Sequence, residues 1–200
     1  TLTGLKPSMQ SVIKKYGRDL AKRLFQVSLD SVDTVEQVIK EESIDCGFKR
    51  YGHLYVASKP HHFDSFYDEV DFMSKEFNHK VHVVPPNELK DEIGSTKYFG
   101  GIVDEVSGGL NPAQYVAGLA RAAEKAGASL HARARVTSLQ RRGTRFFIPT
   151  ERGNLEAEKV LVGTSGYTGS VTKKLRRKII PIGSFIIATE RLSDELAHEL

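Results

Sequence analysis

A single cysteine, Cys46, is all the thiol chemistry available to this 200-residue chain. No intrachain disulfide can form, and neither a cysteine-rich zinc site nor a C-x-x-C redox pair can be built. No stretch approaches the roughly 20 consecutive apolar residues that cross a bilayer. The N-terminal segment, Thr1 to Gly17, lacks the basic, apolar and small-residue order of a secretory signal, so a soluble, cytoplasmic protein is expected. Phosphate loops are missing too. Among 17 glycines no two are separated by a single residue, which forbids G-x-G-x-x-G, and neither G-x-x-x-x-G-K-[ST] nor G-x-S-x-G occurs. No solenoid-length repeat and no low-complexity segment is present.

What is present is ordinary globular material: 40% hydrophobic and 27% charged residues, in about 1.3 times a typical domain length of roughly 150 residues. The formal charge is +4, with 29 basic residues offset by 25 acidic ones that read as spread along the chain. Only Lys173-Lys174-Leu175-Arg176-Arg177-Lys178 is concentrated. No aromatic platform interleaves it, so a solvated turn or helix end is expected and nucleic acid is not expected as a partner.

Apolar spacing predicts two helices in the first 43 residues, broken near Ser28, Asp30 and Ser31. Ser43 to Ser58 alternates (Ile44, Cys46, Phe48, then Leu54, Val56) and reads as a hairpin. A helix follows over Lys59 to Lys80, entered at Pro60, then a short strand over Val81 to Val84, a helical turn near Leu89 and a strand in Tyr98 to Asp104. Asn111 and Pro112 open a helix striped by Tyr115, Val116, Leu119, Ala122, Ala123 and Ala126, which Gly127 stops. Strands are predicted at Ser129 to Ala134, Val136 to Arg141, Thr144 to Pro149, Ala157 to Gly163 and Ile179 to Thr189, with Val160-Leu161-Val162 covered on both faces. A last helix begins after Arg191.

Metal chemistry finds only weak support in His79-x-x-His82 and His61-His62 with Asp64, whose spacings name no third ligand, so no metal site is expected. Cys46 among apolar neighbours reads as an inert buried thiol. Gly163-Thr164-Ser165-Gly166, at the end of an apolar strand, is the remaining candidate: open α/β sheets bind ligands beyond the carboxyl ends of their strands.

Three stretches carry a family resemblance. Ser107-Gly108-Gly109-Leu110-Asn111-Pro112 with Leu119-Ala120-Arg121-Ala122-Ala123 and Gly127-Ala128, then Val160 to Thr168, then Ile179-Ile180-Pro181-Ile182 with Ala188-Thr189-Glu190 together resemble the flavin-dependent amine and amino-acid oxidases of the D-amino-acid-oxidase superfamily. Gamma-glutamylputrescine oxidases, glycine oxidases and D-amino-acid dehydrogenases are the members most similar. The match spans roughly residues 98 to 190. The family's N-terminal G-x-G-x-x-G strand and turn are missing, as is its later C-terminal glycine segment, so by resemblance the chain is expected to be the middle of a longer enzyme. Gly163 and Ser165 stand where the family usually has Ala and often Asn.

The resemblance implies a mixed α/β fold: a substrate-binding sheet with flanking helices, plus an incomplete portion of a Rossmann-like FAD-binding domain. It divides the chain into substrate-domain helices and strands (1–104), a partial FAD-binding domain (105–170) and a return to the substrate sheet (171–200). It implies FAD in the intact parent but not held by this piece alone, with Val136 meeting the adenine through its backbone and Gly163, Thr164, Ser165 and Gly166 passing beside the diphosphate and ribityl chain. The implied chemistry is hydride removal from the carbon bearing a small amine or amino-acid substrate, giving an imine that water hydrolyses, with dioxygen or a quinone as reoxidant. Tyr55, Tyr98 and Phe185 are the expected substrate-lining residues, on a sheet built from Tyr51 to Val56, Val81 to Val84, Tyr98 to Asp104 and Ile179 to Thr189; no catalytic residue is assigned. The piece itself is expected to be inactive, and apolar surface left uncovered is expected to drive homodimerisation. A cofactor-free ligand-binding or interaction module is the second reading.

Overall fold

A computed structural model describes residues 1–183, 185 and 189–199, with residue 198 described by its backbone only. The chain divides into two compact units, Thr1–Ala128 joined by the segment from Leu192, and Ser129–Arg191. The first unit holds the larger core.

Helix α1 (Met9–Tyr16) is capped by Ser8, whose side chain accepts from the Ser11 amide, and α2 (Arg18–Glu41) follows after one residue. The separating residue is Gly17, at φ 82°, ψ 162°, a conformation that an L side chain resists. The break predicted near Ser28 to Ser31 does not form. Ser28 Oγ donates to the Phe25 carbonyl at 2.6 Å and Ser31 Oγ to the Ser28 carbonyl at 2.7 Å, so both hydroxyls are satisfied inside a continuous helix. Helix α3 (Pro60–Phe77) starts on proline as predicted and ends at Asn78 in the left-handed conformation. Met9, Val12, Ala21 and Phe25 pack with Met73 as the main helical core.

Strands β1 (His53–Val56), β2 (His82–Val84) and β3 (Gly101–Asp104) form an antiparallel sheet in the order β1-β3-β2. The predicted hairpin over Ser43 to Ser58 is therefore replaced by a long-range pairing, with Leu54 opposite Val103 and Tyr55 opposite Ile102. The alternating residues before β1 serve other contacts. Gly47 and Gly52 turn the chain at φ 61° and 78°, Ile44 packs on Gly118, and the Cys46 carbonyl accepts from the Asn111 amide at 2.8 Å. One face of the sheet carries Ile102 and Val83 against Phe63 and Phe66 of α3. The other carries Leu54, Val56, Val84 and Val103 over Leu89, Ile93 and Tyr98.

Helix α4 (Pro112–Lys125) is capped as predicted: Asn111 Oδ1 accepts from the amides of Ala113 (3.0 Å) and Gln114 (3.2 Å), and Gly127 has φ 94°. Its packed face centres on buried Gly118, whereas Val116 and Ala126 of the predicted stripe are exposed.

In the second unit β4 (Gln140–Arg142), β5 (Arg145–Thr150) and β6 (Gly153–Ala157) form an antiparallel meander. The turn that the sequence places at Arg142-Gly143 forms, but Gly153 and Asn154, expected in a second turn with Arg152, open β6, which ends at Ala157 where a strand was expected to begin, because both pair with the end of β5. Ile148 is its buried apolar residue among the described residues. The predicted strand at Ser129 to Ala134 is not formed, and Val136 makes a single bridge with Thr150. Val160-Leu161-Val162 is not a covered strand either: no described strand pairs with it, and Leu161 is 97% exposed. Of the strand predicted over Ile179 to Thr189, residues 179–183, 185 and 189 join no ladder, consistent with the donor missing at Pro181. Ser184, Ile186, Ile187 and Ala188 lie outside the described residues. The basic run forms the exposed single turn α5 (Lys173–Arg176), and α6 (Asp194–Glu199) lies after Arg191 as predicted.

Charge is not spread evenly between these units, contrary to the sequence expectation. The second holds 13 Lys and Arg against 4 Asp and Glu, a formal +9, which leaves −5 for the first.

Candidate functional site

The second unit contains a groove of about 380 Å³ whose walls are largely aliphatic, from Val136, Leu139, Ile148, Val160 and Val162. Val136 is held at its edge because the chain runs back along β5: the Thr137 amide donates to the Pro149 carbonyl (2.9 Å) and the Glu151 amide to the Arg135 carbonyl (3.1 Å). Gly163 and Thr164 also line the groove. Three of the five expected cofactor residues are thus brought to one groove, and Ser165 and Gly166 follow directly beyond its lining.

That following turn is polar and open. The Tyr167 amide donates to the Thr164 carbonyl at 2.9 Å, and the Thr168 hydroxyl bonds both Thr164 Oγ1 (2.8 Å) and the Ser165 carbonyl (2.6 Å). The amides of Gly163, Thr164, Ser165 and Gly166 donate no hydrogen bond among the described residues. A Cβ at Gly163 or Gly166 would meet nothing within 4 Å, which leaves that backbone approachable. Ser165 sits at φ 45°, a region that costs a non-glycine residue free energy of order 1 kcal/mol or more and that recurs at ligand-clamping turns.

These features fit one side of a dinucleotide. Aliphatic walls suit a flat base, and unpaired backbone amides suit an anion. They do not complete a pyrophosphate site, because the glycine-rich turn that presents a helix N-terminus to the phosphates is absent from the sequence.

Two of the three expected substrate residues, Tyr55 and Tyr98, lie to opposite sides of the sheet of the first unit. Tyr55 lies on the α3 side of the sheet, 62% exposed, with its ring 5.7 Å from that of Phe66. Tyr98 packs on the opposite side, against Leu89, Val84 and Val103. Phe185 is 93% exposed in the second unit. Three of the four segments expected to share one sheet pair with one another, as β1, β3 and β2.

Sequence reasoning missed a partly buried polar cluster. His79, read only as half of a weak metal pair, is buried and turns its Nε2 to Asp104 Oδ2 at 3.0 Å, while His82 is exposed on β2. Thr3 also donates to Asp104 Oδ2, and the Val106 amide donates to Oδ1 at 2.9 Å. Burial pushes the Asp104 carboxyl up, but the bonds from His79, Thr3 and Val106, together with the charge on His79, outweigh it and hold the group below its ordinary value. The only forewarning was that Asp104 ends an apolar strand, where an acid needs partners. Cys46 is buried, as expected.

Comparison with known proteins accords with this geometry. The chain is 29% identical to the "Probable oxidoreductase OrdL" of Haemophilus influenzae, over 100% of this chain and 47% of that protein. It is 28% identical to the gamma-glutamylputrescine oxidoreductase of Escherichia coli, over 94% of this chain and 44% of that one. The chain therefore spans about half the length of the curated relatives it matches. The crystal structure of glycine oxidase from Geobacillus kaustophilus superposes with a TM-score of 0.66 at 21% identity, covering 76% of this chain and 42% of that one, a likeness of fold. No helix among the described residues is long and apolar enough to cross a membrane. The family model for FAD dependent oxidoreductases matches residues 8–200, and the chain belongs to that family, the DAO family.

Proposed function

We propose that this chain contributes a substrate sheet and one wall of the cofactor site to an FAD-dependent enzyme that oxidises a small amine or amino acid. The observation that carries the reading is the convergence of Val136 with Gly163 and Thr164 on one aliphatic groove, next to four amides with no acceptor among the described residues. In this reading the Val136 backbone meets the adenine, and the backbone of Gly163, Thr164, Ser165 and Gly166 follows the diphosphate and ribityl chain. Residues 1–104 and 171–200 serve the substrate side and residues 105–170 the cofactor side.

When bound, the flavin supplies the acceptor for a hydride from the carbon bearing the amine. The chain's own residues bind and orient. The aliphatic walls exclude water from the base, the open amides hold the anion, and the exposed face of Tyr55 offers an aromatic surface to a substrate cation. Tyr98 supports the sheet from behind, and Phe185 is a second substrate-side aromatic. The chain alone turns over no amine, and its exposed apolar side chains pair two copies in solution.

The test is FAD titration, read by flavin fluorescence, of this chain and of the same chain extended to the length of its relatives. Weak, saturable binding by the first is expected, with a yellow protein surviving desalting, and bleached by an amine substrate, only for the second. A folded extended chain that stays colourless would sink the reading and favour a cofactor-free binding module. Elution as a monomer across a wide concentration range would remove the homodimer.

A further inference from the structure

The carboxylates of α3 are not all answered within the chain. Asp71 pairs with Lys75, and Glu76 with Arg18 at 2.8 Å. Asp68 and Glu69 meet no cation among the described residues, and Glu69 accepts from the neutral Gln10 side chain at 2.6 Å. These two acids line a groove of about 680 Å³ in the first unit, together with buried Phe66 and Ile102 and partly buried Phe72. The complementary surface belongs to the second unit. There the run Lys173-Lys174-Leu175-Arg176-Arg177-Lys178 is exposed along its whole length. The ion pairs described in that unit join Arg145 to Glu156 and Glu158, and none involves a cation of the run. Leu175, in the middle of the run, leaves 43% of its surface open.

We infer that the basic run of one copy of this chain docks in the acidic groove of a second copy, with Leu175 on the apolar lining and the cations of the run on Asp68 and Glu69. The inference rests on the pairing of two copies proposed above and names its surfaces; it is independent of the flavin reading. Charge selects the occupant. The first unit carries −5 and the second +9, so unlike units attract across copies while like units repel. A single exposed ion pair contributes little, but several cations set against two carboxylates around a covered apolar contact act together. Tyr55 lines the same groove, so the pair covers the aromatic surface that the free chain offers to a substrate cation. Each copy brings one groove and one run, and the contact either closes reciprocally between two copies or continues head to tail.

Sedimentation velocity on this 200-residue chain reads the contact. Self-association is expected at low salt and should weaken on the order of tenfold between about 0.05 and 0.5 M salt, because screening removes attraction between exposed charges. A purely apolar contact is not weakened in this way. A groove variant, Asp68→Lys with Glu69→Lys, and a run variant, Lys173→Glu with Arg176→Glu, should each sediment as monomers. An equimolar mixture of the two should restore a complex of two copies, since the intact run of the first meets the intact groove of the second. Circular dichroism melts confirm that each variant is folded, and Asp68→Asn with Glu69→Gln, which should weaken association less, replaces a charge reversal that does not fold. Salt-insensitive association, variants that associate as the unmutated chain does, or a mixture that stays monomeric overturns the inference while leaving the pairing of copies standing. An unmutated chain that is monomeric at every concentration overturns both, and FAD titration judges the flavin reading separately.

Discussion

Gly118 sits on α4 where a side chain has no room: an added Cβ would lie 2.3 Å from Ile44 Cγ2 and 2.8 Å from Cγ1. Overpacking of this kind costs about 1–3 kcal/mol, against roughly 1 kcal/mol gained by replacing a helical glycine with alanine. Gly118→Ala is therefore expected to lower the melting temperature. In a double-mutant cycle Ile44→Ala should cost less in the Gly118→Ala background than alone; strict additivity would mean the two do not collide. At Asp104 the consequence concerns pH. Its carboxyl titrates below the ordinary value of 3.8 in the folded chain, so the unfolded chain binds more protons across that interval. The contribution of Asp104 is complete above the unfolded value and is lost as pH falls through the folded one. Asp104→Asn should flatten the acid limb of a stability-versus-pH curve. An unchanged limb in that variant would show that the His79–Asp104 contact has no energetic weight.

Elements differ in how their ends are secured. Asn111 bonds two amides at the start of α4, so Asn111→Ala is expected to cost about 1 kcal/mol in urea unfolding. Ser31→Ala, within continuous α2, should be neutral or slightly stabilising, because that hydroxyl only repeats a contact the helix already provides. A loss at Ser31 equal to the loss at Asn111 would contradict the assignment of the α1–α2 boundary to Gly17. The comparison also explains why one boundary was legible and another was not. Asn-Pro before an apolar stripe has one good use, whereas serine serves equally as a cap, a turn residue or a helical residue bonding back to its own turn. Strand pairing was less legible still. The alternation at Ile44, Cys46 and Phe48 is genuine, but it marks contacts to Gly118 and Gly108 rather than a ladder, and β1 finds its partner in distant β3.

Among the described residues the buried apolar side chains are concentrated in the first unit, with Ile148 the buried one in the second. Amide exchange should follow that distribution. The slowest amides are expected in α2, α3 and β3, and faster exchange throughout β4, β5 and β6, since local opening depends on how much apolar contact must be broken. Mass spectrometry of exchanged peptides measures this directly, and equal protection in the β4–β6 meander would contradict it.

What the sequence determined by itself was local or motif-like: the Asn111-Pro112 helix start, the Gly127 stop, the proline-led α3, the Gly143 turn between β4 and β5 and, through three short stretches, the family. Each rests on backbone chemistry confined to a few neighbouring residues. The Gly163–Gly166 turn was singled out for the same reason, since it lies in one of the three stretches, whereas Val136 lies between them and was carried over by resemblance alone. Tertiary structure alone decided which strands pair, that Tyr55 and Tyr98 face opposite sides of one sheet, and that His79 answers Asp104 rather than His82. Those outcomes depend on burial and on pairing between residues far apart in the chain, and neither spacing nor composition encodes which distant partner wins.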